Sequence, residues 1–213
     1  VQTCALPICL HAHRPAQEQR IVDRVADCVR EGGCVLFPTF ALGRAQEVLL
    51  LLGRAMRQKA MPTVPVYADG LVRSISKVYR RFAEDLAPGC RKLWEQGLDP
   101  IFPEDLPILP IKNNDQREQI ARSGPCVVVA SSGMLQGGAS QFYAKQWIDD
   151  PRNLILVTGY QDEESPGQAL LNLAELPANQ PRYFKLGGVH TEVTCQVESC
   201  QLSAHAEIGR AHV

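Results

Sequence analysis

Apolar residues follow two alternating patterns along this chain. Short, continuous apolar runs occur at residues 34–40, 63–70, 126–134 and 153–160. Such runs are typical of strands buried on both faces of a parallel sheet. Stretches with apolar positions at helical spacing follow them, at residues 43–53, 71–86, 137–150 and 167–176. The repeated order of strand and helix predicts an α/β fold, a doubly wound, mostly parallel sheet with helices on both faces.

Three further segments belong to the same predicted domain. Residues 15–30 have apolar positions at helical spacing and are followed by Gly32 and Gly33, which predicts a first helix. Residues 87–114 contain five prolines and little periodicity, so we expect an irregular connection there. A short helix is expected over residues 115–122.

The segment 71–86 has the clearest amphipathic pattern. Its apolar stripe has the spacing of a helix face that packs on a core, and it runs through Leu71, Ile75, Val78 and Phe82. Basic residues lie on the opposite face, and we interpret them as a solvated helix surface: Arg73, Lys77, Arg80 and Arg81.

The period of the pattern changes near the end of the chain. Val193, Cys195 and Val197 alternate with polar residues, as in a half-exposed strand. We therefore expect the α/β domain to cover residues 10–185, and the chain to enter a different β layer over residues 186–207.

Composition narrows the function classes without selecting one. The 213 residues include 22 basic and 23 acidic residues, with a formal net charge of −1 at pH 7. A nucleic acid would therefore have to be held by a local site, because the chain has no overall excess of positive charge. No apolar run approaches the roughly 20 residues that span a bilayer, so we expect a soluble protein with no membrane partner.

The eight cysteines include no CxxC pair, and most lie inside apolar runs. Cysteine at core positions is usually a free thiol, and disulfides are rare in reducing compartments. We therefore predict buried free thiols and a cytoplasmic protein.

Candidate binding residues follow the predicted strands. In a doubly wound sheet ligands collect beyond the carboxyl ends of the strands, where helix amino termini hold phosphate. Small, hydroxyl-bearing, glycine or basic residues occupy these positions: Thr39, Arg44, Ser131, Ser132, Gly133, Gly137 and Gly138. They are candidates for a phosphate-binding site. The same residue types also favour helix caps and turns without any ligand, so both interpretations stand on the sequence alone.

One histidine is a candidate for chemistry. His205 lies between small residues directly after the last predicted strand, where an exposed imidazole suits a proton donor or a phosphate ligand. His11 and His13 are two residues apart, but Pro15 and Ala16 stand where an HxHxDH zinc site needs a carboxylate and a histidine. We therefore assign no metal ligand in this chain.

Four ordered motifs resemble a known family. They are GCVLFPTFALGRAQEVLLLL, ASSGMLQGG, RNLILVTGYQDEESPGQALL and LSAHAE, and the resemblance covers about residues 10–207. They are similar to motifs of the β-CASP branch of the metallo-β-lactamase superfamily, RNA-processing nucleases related to ribonuclease J and the pre-mRNA 3′-end endonuclease. The resemblance implies a β-CASP domain inserted in a metallo-β-lactamase domain, with the active site between the two.

The resemblance also implies roles for particular residues. His205 would be the motif B histidine, which contacts the scissile phosphate as a general acid, with Ser203 and the loop 131–138 beside the bound RNA. Two zinc ions are expected in the intact protein, whose zinc ligands and metallo-β-lactamase domain would lie outside this chain. We therefore expect this chain to be the RNA-clamping part of a zinc-dependent ribonuclease and to be inactive as a fragment. The sequence leaves open whether the protein forms an oligomer.

Other functions stay open beside this one. They are a non-catalytic RNA-binding or scaffold subunit of the same family, a nucleotide-binding α/β domain, and a nuclease that acts on DNA. An HxHxDH motif upstream of Leu10 would support the nuclease, and its absence would support the scaffold subunit.

The two ends of the chain look foreign. Residues 1–9 and 208–213 resemble the translation of a sequencing-library adapter and were excluded from the fold prediction. A chimeric codon at each joint would alter Cys9 and Glu207, and the family usually has aspartate at the second position. We expect the native chain to continue in both directions.

Overall fold

The computed structural model describes residues 13–177 and 180–202. Within these ranges the α-helices are α1 Arg14–Arg30, α2 Arg44–Arg57, α3 Leu71–Arg81, α4 Pro88–Glu95, α5 Asn114–Ala121, α6 Gly138–Trp147 and α7 Pro166–Ala174. A 3-10 helix covers Ala83–Asp85. The strands are β1 Val35–Pro38, β2 Val66–Asp69, β3 Ile108–Pro110, β4 Val127–Ala130, β5 Leu154–Val157, β6 Tyr183–Leu186, β7 Val189–Glu192 and β8 Gln196–Ser199.

Six of the strands form one sheet in the order β3-β2-β4-β1-β5-β8. Every neighbouring pair in this sheet is parallel. β1 lies between β4 and β5, so that Val35 is beside both Val127 and Leu154. β6 and β7 form a separate antiparallel hairpin. The mostly parallel α/β sheet predicted from the sequence is confirmed.

Apolar side chains cover both faces of the sheet. Along β1, Val35 and Phe37 belong to one hydrophobic core, and Leu36 belongs to the other. Helices α1 and α2 and the start of α3 pack on the first face, and α5, α6 and α7 pack on the second. The strands read as continuous apolar runs because successive side chains point to opposite faces and both faces are buried.

The last strand joins this sheet rather than the different layer expected from its alternating sequence. β8 pairs in parallel with β5, from Leu154 beside Gln196 to Val157 beside Ser199. It is an edge strand with one neighbour, and its residues are half-buried for that reason. Among the strands within residues 13–177 and 180–202, the hairpin of β6 and β7 alone lies outside the main sheet. The domain boundaries at residues 185 and 207 stay predictions.

The region predicted to be an irregular connection contains two regular elements. Helix α4 starts at Pro88, which fits the first turn because proline there loses no intrahelical hydrogen bond. None of the residues of α4 is buried, so no apolar period marked it in the sequence. Strand β3 is three residues long and ends at Pro110, which is tolerated because β3 lies at the edge of the sheet.

The apolar stripe of α3 packs on the core only along one border, where Val72 is buried and Tyr79 lies against the core. Val72 and Ser76 are buried, whereas Leu71, Val78 and Phe82 are exposed. Gln46 of α2 donates a hydrogen bond from Nε2 to the Ser76 hydroxyl at 3.0 Å, which fixes that side of α3 against α2. Val72 and this polar contact therefore lie on the same buried side of α3.

The cysteines in the described ranges are free thiols, as predicted. Five of them are buried, and Cys90 is half-buried. No helix in the described part of the chain is long and apolar enough to cross a membrane.

The turn between α1 and β1 gives a test of close packing. A Cβ atom on Gly33 would lie 1.9 Å from the carbonyl oxygen of Arg152, which is backbone and has no rotamer to change. We expect Gly33→Ala to lower the free energy of unfolding by about 2 kcal/mol, since overpacking of a filled site costs about 1–3 kcal/mol. Urea denaturation followed by circular dichroism measures the change.

Gly89→Ala is the matched control for this substitution. A Cβ atom there has no heavy atom within 4 Å, and Gly89 lies in α4, where alanine is a better helix former. We expect it to leave stability unchanged or slightly raised. Equal stabilities for the two alanine variants would contradict the packing of Gly33 described here.

Thiol labelling tests the burial of the cysteines. Burial raises the pKa of Cys28 and of Cys195 to about 12, so both are neutral thiols near pH 8. We expect iodoacetamide to label Cys90 before either of them in the native protein, and all three at similar rates in denaturant. Peptide mass spectrometry reports each site separately. Labelling of Cys28 as fast as that of Cys90 would contradict the packing of α1 on the sheet.

Candidate functional site

The carboxyl ends of the parallel strands bring several polar residues to one edge of the sheet. Thr39 follows β1, Asp69 ends β2, Ser131 follows β4 and Thr158 follows β5. Helices α2, α3 and α6 begin at this edge with glycine as the N-cap residue and no side-chain cap. This edge is where a doubly wound sheet binds its ligands.

Ser131 joins three elements at the edge. Its Oγ accepts a hydrogen bond from the Leu71 amide at 3.0 Å, and its carbonyl accepts one from the Ser140 amide at 2.9 Å. A Cβ atom on Gly70 would lie 2.6 Å from the same Oγ, so only glycine allows this approach. Ser131 is 9% exposed and holds the starts of α3 and α6 against the end of β4.

Ser132 and the glycines after it form the turn into α6. The peptide bond between Ser131 and Ser132 is cis. The Ser132 hydroxyl accepts from the Gln136 amide at 3.1 Å, and its carbonyl accepts from the Ser140 hydroxyl at 2.7 Å. Gly138 has φ 72°, the left-handed region, and a Cβ atom on it would lie 3.0 Å from the Ser131 carbonyl oxygen.

Gly133 is in contact with the loop that follows β1. A Cβ atom on it would lie 2.9 Å from the Phe40 nitrogen. Its carbonyl accepts a hydrogen bond from Gln161 Nε2 at 2.9 Å, and the Gly167 amide donates to the Met134 carbonyl at 3.1 Å. The loop 131–138 is therefore attached to the loops after both β1 and β5.

Two of the threonines at this edge are covered. Thr39 is 1% exposed, and its Oγ1 lies 3.5 Å from the Ala130 carbonyl oxygen. Thr158 is also 1% exposed, and its Oγ1 has no hydrogen-bond partner among the described residues. Neither hydroxyl is presented on the surface, although Thr39 was among the predicted binding residues.

Arg44 is the first residue of α2, and it belongs to a network of charges. Glu47 forms ion pairs with Arg44 and with Arg14, and Glu18 forms ion pairs with Arg14 and with Arg54. Burial lowers the pKa of Arg44 from its ordinary value, against the opposing charge of Glu47, and the group stays cationic at neutral pH. The three arginines exceed the two glutamates by one positive charge, in a network that extends from Arg44 in the first turn of α2 to Arg54 in its last turn.

Asp69 is the centre of a buried polar cluster that the sequence interpretation missed. It is 1% exposed and accepts two hydrogen bonds from Arg117, to Oδ2 at 2.6 Å and to Oδ1 at 2.9 Å. Tyr143 donates its hydroxyl to the same carboxylate at 3.2 Å, and the Gly70 amide donates at 2.6 Å. The hydrogen bond to Asp69 raises the pKa of Arg117, and burial raises that of Tyr143. An aspartate directly after an apolar strand was the available signal.

Comparison with known proteins decides the family. The model of the Beta-Casp domain matches residues 45–170, which include α2 from its second residue onward, Asp69 and the loop 131–138. The chain belongs to the Beta-Casp family. The family resemblance stated from the sequence motifs is confirmed.

Relatives of this Beta-Casp chain are named for nucleases and for transcription termination. An RNase J-like protein of Methanocaldococcus jannaschii is 33% identical over 79% of this chain and 38% of its own length. Transcription termination factor FttA of Methanosarcina mazei is 33% identical over 75% of the chain and 26% of its length. Endoribonuclease ysh1 of Schizosaccharomyces pombe is 32% identical over 92% of the chain and 25% of its length. The chain thus spans between about a quarter and two-fifths of these relatives.

The remaining predicted residues of the Beta-Casp chain do not all fall in the described ranges. Ser203 and His205 lie outside them, so their roles stay predictions. The last described residues leave β8 at the candidate edge, where the Cys200 amide donates to the Val157 carbonyl at 2.9 Å. Between residues 13 and 202, with 178 and 179 left aside, no group of three or more histidine, cysteine or acidic residues is placed to hold a metal ion.

The Asp69 cluster of the Beta-Casp domain predicts a large effect on stability. Asp69→Asn removes the charge that faces the Arg117 guanidinium, whose side chain is 25% exposed, and unpairing a hydrogen-bonded group at a buried position costs about 1–3 kcal/mol. Asp105→Asn is the matched control, because Asp105 also pairs with an arginine, Arg57, but its side chain is 54% exposed. We expect a loss below about 1 kcal/mol there. Chemical denaturation measures both, and equal losses would contradict a buried role for Asp69.

Proposed function

We propose that this Beta-Casp chain is the RNA-clamping part of a ribonuclease, and that RNA lies along the carboxyl edge of the sheet. The observation that supports this most is the convergence of the loop 131–138 and the start of α2 at that edge, in a chain whose relatives carry ribonuclease names. The loop presents Ser132, Gly137 and Gly138 at its surface. They are the proposed phosphate contacts.

The charge at the edge suits a polyanion. Arg44 stands at the amino terminus of α2, where the helix dipole adds to its positive charge. The chain as a whole carries a formal charge of −1, so binding by overall charge is excluded and a local site has to supply the attraction. The excess arginine of the network at Arg44 is the local charge that the structure offers.

Metal chemistry is proposed for the whole protein and not for the described residues. These residues offer no cluster of donors that fits a zinc ion. In our proposal the two zinc ions are bound by residues outside this chain, in a metallo-β-lactamase domain, and the chain alone does not hydrolyse RNA. Within that assembly, we propose that His205 acts as a general acid at the scissile phosphate, with Ser203 beside it. The cytoplasmic location stays a prediction.

Arg44→Gln tests the proposed RNA path. We expect the substitution to weaken binding of a single-stranded RNA several-fold and to reduce the dependence of log affinity on log salt concentration by about one, because one phosphate contact is lost. Fluorescence anisotropy of a labelled oligonucleotide at several salt concentrations measures both quantities. Thermal unfolding of each variant checks that the fold is retained.

Arg57→Gln is the matched control for this experiment. Arg57 is the last residue of the same helix, about 20 Å along the axis from Arg44, and it too forms an ion pair. We expect it to bind RNA like the unchanged protein. Equal losses for the two variants would contradict the proposed path, and absence of RNA binding by the unchanged protein would overturn the proposed function. Binding of a mononucleotide as tightly as the RNA would favour a nucleotide-binding domain instead.

A further inference from the structure

Phe40 is an aromatic residue held in place at the proposed RNA-binding edge. It follows β1, and the Cδ2 side of its ring lies against two glycines on neighbouring loops. A Cβ atom on Gly133 would be 3.1 Å from Cδ2, and one on Gly159 would be 3.3 Å from both Cδ2 and Cε2. The ring occupies the space that side chains at these two positions would need. Its position is therefore fixed by the backbone of two loops.

The same residue is accessible from outside. Phe40 is 40% exposed, although large apolar side chains next to a parallel sheet are usually covered. Its backbone carbonyl accepts a hydrogen bond from the Ala45 amide at 3.2 Å, which ties it to the first turn of α2. An apolar ring that is held along its Cδ2–Cε2 edge and is 40% exposed is available to a planar apolar ligand.

Charged residues on the two loops that meet at Phe40 favour contact with a base over contact with a phosphate group. Asp162, Glu163 and Glu164 are exposed on the loop that follows Gly159. Their negative charges disfavour a phosphate group at this loop, whereas an uncharged base is not repelled. Arg44 starts the helix four residues further along the chain and offers the positive charge for the backbone of the strand. In this arrangement the Phe40 ring would contact the base, and Arg44 would contact the phosphate backbone.

We propose that Phe40 is a stacking platform for an unpaired base of the RNA strand. The inference rests on the proposed function, since it assigns the base contact at the same edge. Stacking of a base on an aromatic side chain is tolerant of sequence and needs a single-stranded nucleic acid. The chain therefore prefers single-stranded over duplex RNA at this position. Tyr160, also at this edge and 64% exposed, is the comparison residue, because no described contact holds its ring.

The experiment compares Phe40→Leu with Phe40→Tyr in binding of single-stranded RNA by the purified protein. Leucine keeps an apolar side chain and removes the flat ring, and we expect a loss of affinity of about tenfold. Tyrosine keeps the ring and restores the affinity. Leu42→Ala is the matched control, because Leu42 is 68% exposed on the same loop and has no ring. It should bind RNA like the unchanged protein.

A set of RNAs that each lack one base separates stacking from a structural effect. We expect the unchanged protein to lose about tenfold when one particular base is absent, and Phe40→Leu to lose nothing further with that RNA. The effect of Phe40→Leu should also be the same at low and high salt, because no phosphate contact is removed.

The outcomes of these measurements are distinct. Equal RNA affinity for Phe40→Leu and the unchanged protein would overturn the platform and leave the proposed function standing. The platform would also be overturned if Tyr160→Leu lowered the RNA affinity and Phe40→Leu did not. The same conclusion would follow if every RNA that lacks one base lost the same affinity. Absence of RNA binding by the unchanged protein would overturn both.

Discussion

β1 and β4 pair in parallel at the centre of the sheet, from Val35 beside Val127 to Pro38 beside Ala130. The Thr39 amide extends this ladder by donating to the Ala130 carbonyl at 2.9 Å. The loops that follow the two strands therefore lie at the same edge of the sheet. Antiparallel pairing would have placed these two loops at opposite edges. The approach of Gly133 to Phe40 and the contacts of Ser131 follow from this pairing.

The candidate site depends on close contact between backbones. Ser131 reaches the start of α3 because Gly70 has no Cβ atom, and the loops after β1 and β4 touch because Gly133 has none. The sequence left two interpretations of these small residues, helix capping and phosphate binding. The structure shows a packing role for Ser131, Gly133 and Gly138. In our proposal phosphate contact is confined to the more exposed residues of this loop, Ser132, Gly137 and Gly138, and to the charge at Arg44.

The local charge at the carboxyl edge of the sheet arises from the fold and not from the composition of the chain. The network around Arg44 joins Arg14 at the start of α1 with Glu47 in α2. On the opposite side of the site, Asp69 is balanced by Arg117, which lies 48 residues later in the chain. The Asp69 carboxylate is thus paired inside the protein, whereas the network around Arg44 has one arginine in excess and exposes Arg14 and Arg54 to solvent.

The sequence by itself determined the four buried strands β1, β2, β4 and β5, most helices, the doubly wound class and the family, because these depend on local period and on short motifs. It did not determine α4 or β3, which bury too little to carry a period, nor that β8 pairs with β5. It also could not show that Thr39 is covered, that α3 turns Phe82 outward, or that Asp69 meets Arg117 and Tyr143. Only the tertiary structure decided these points, because each depends on contacts between residues far apart in the chain, and the local pattern of one segment does not contain its partners.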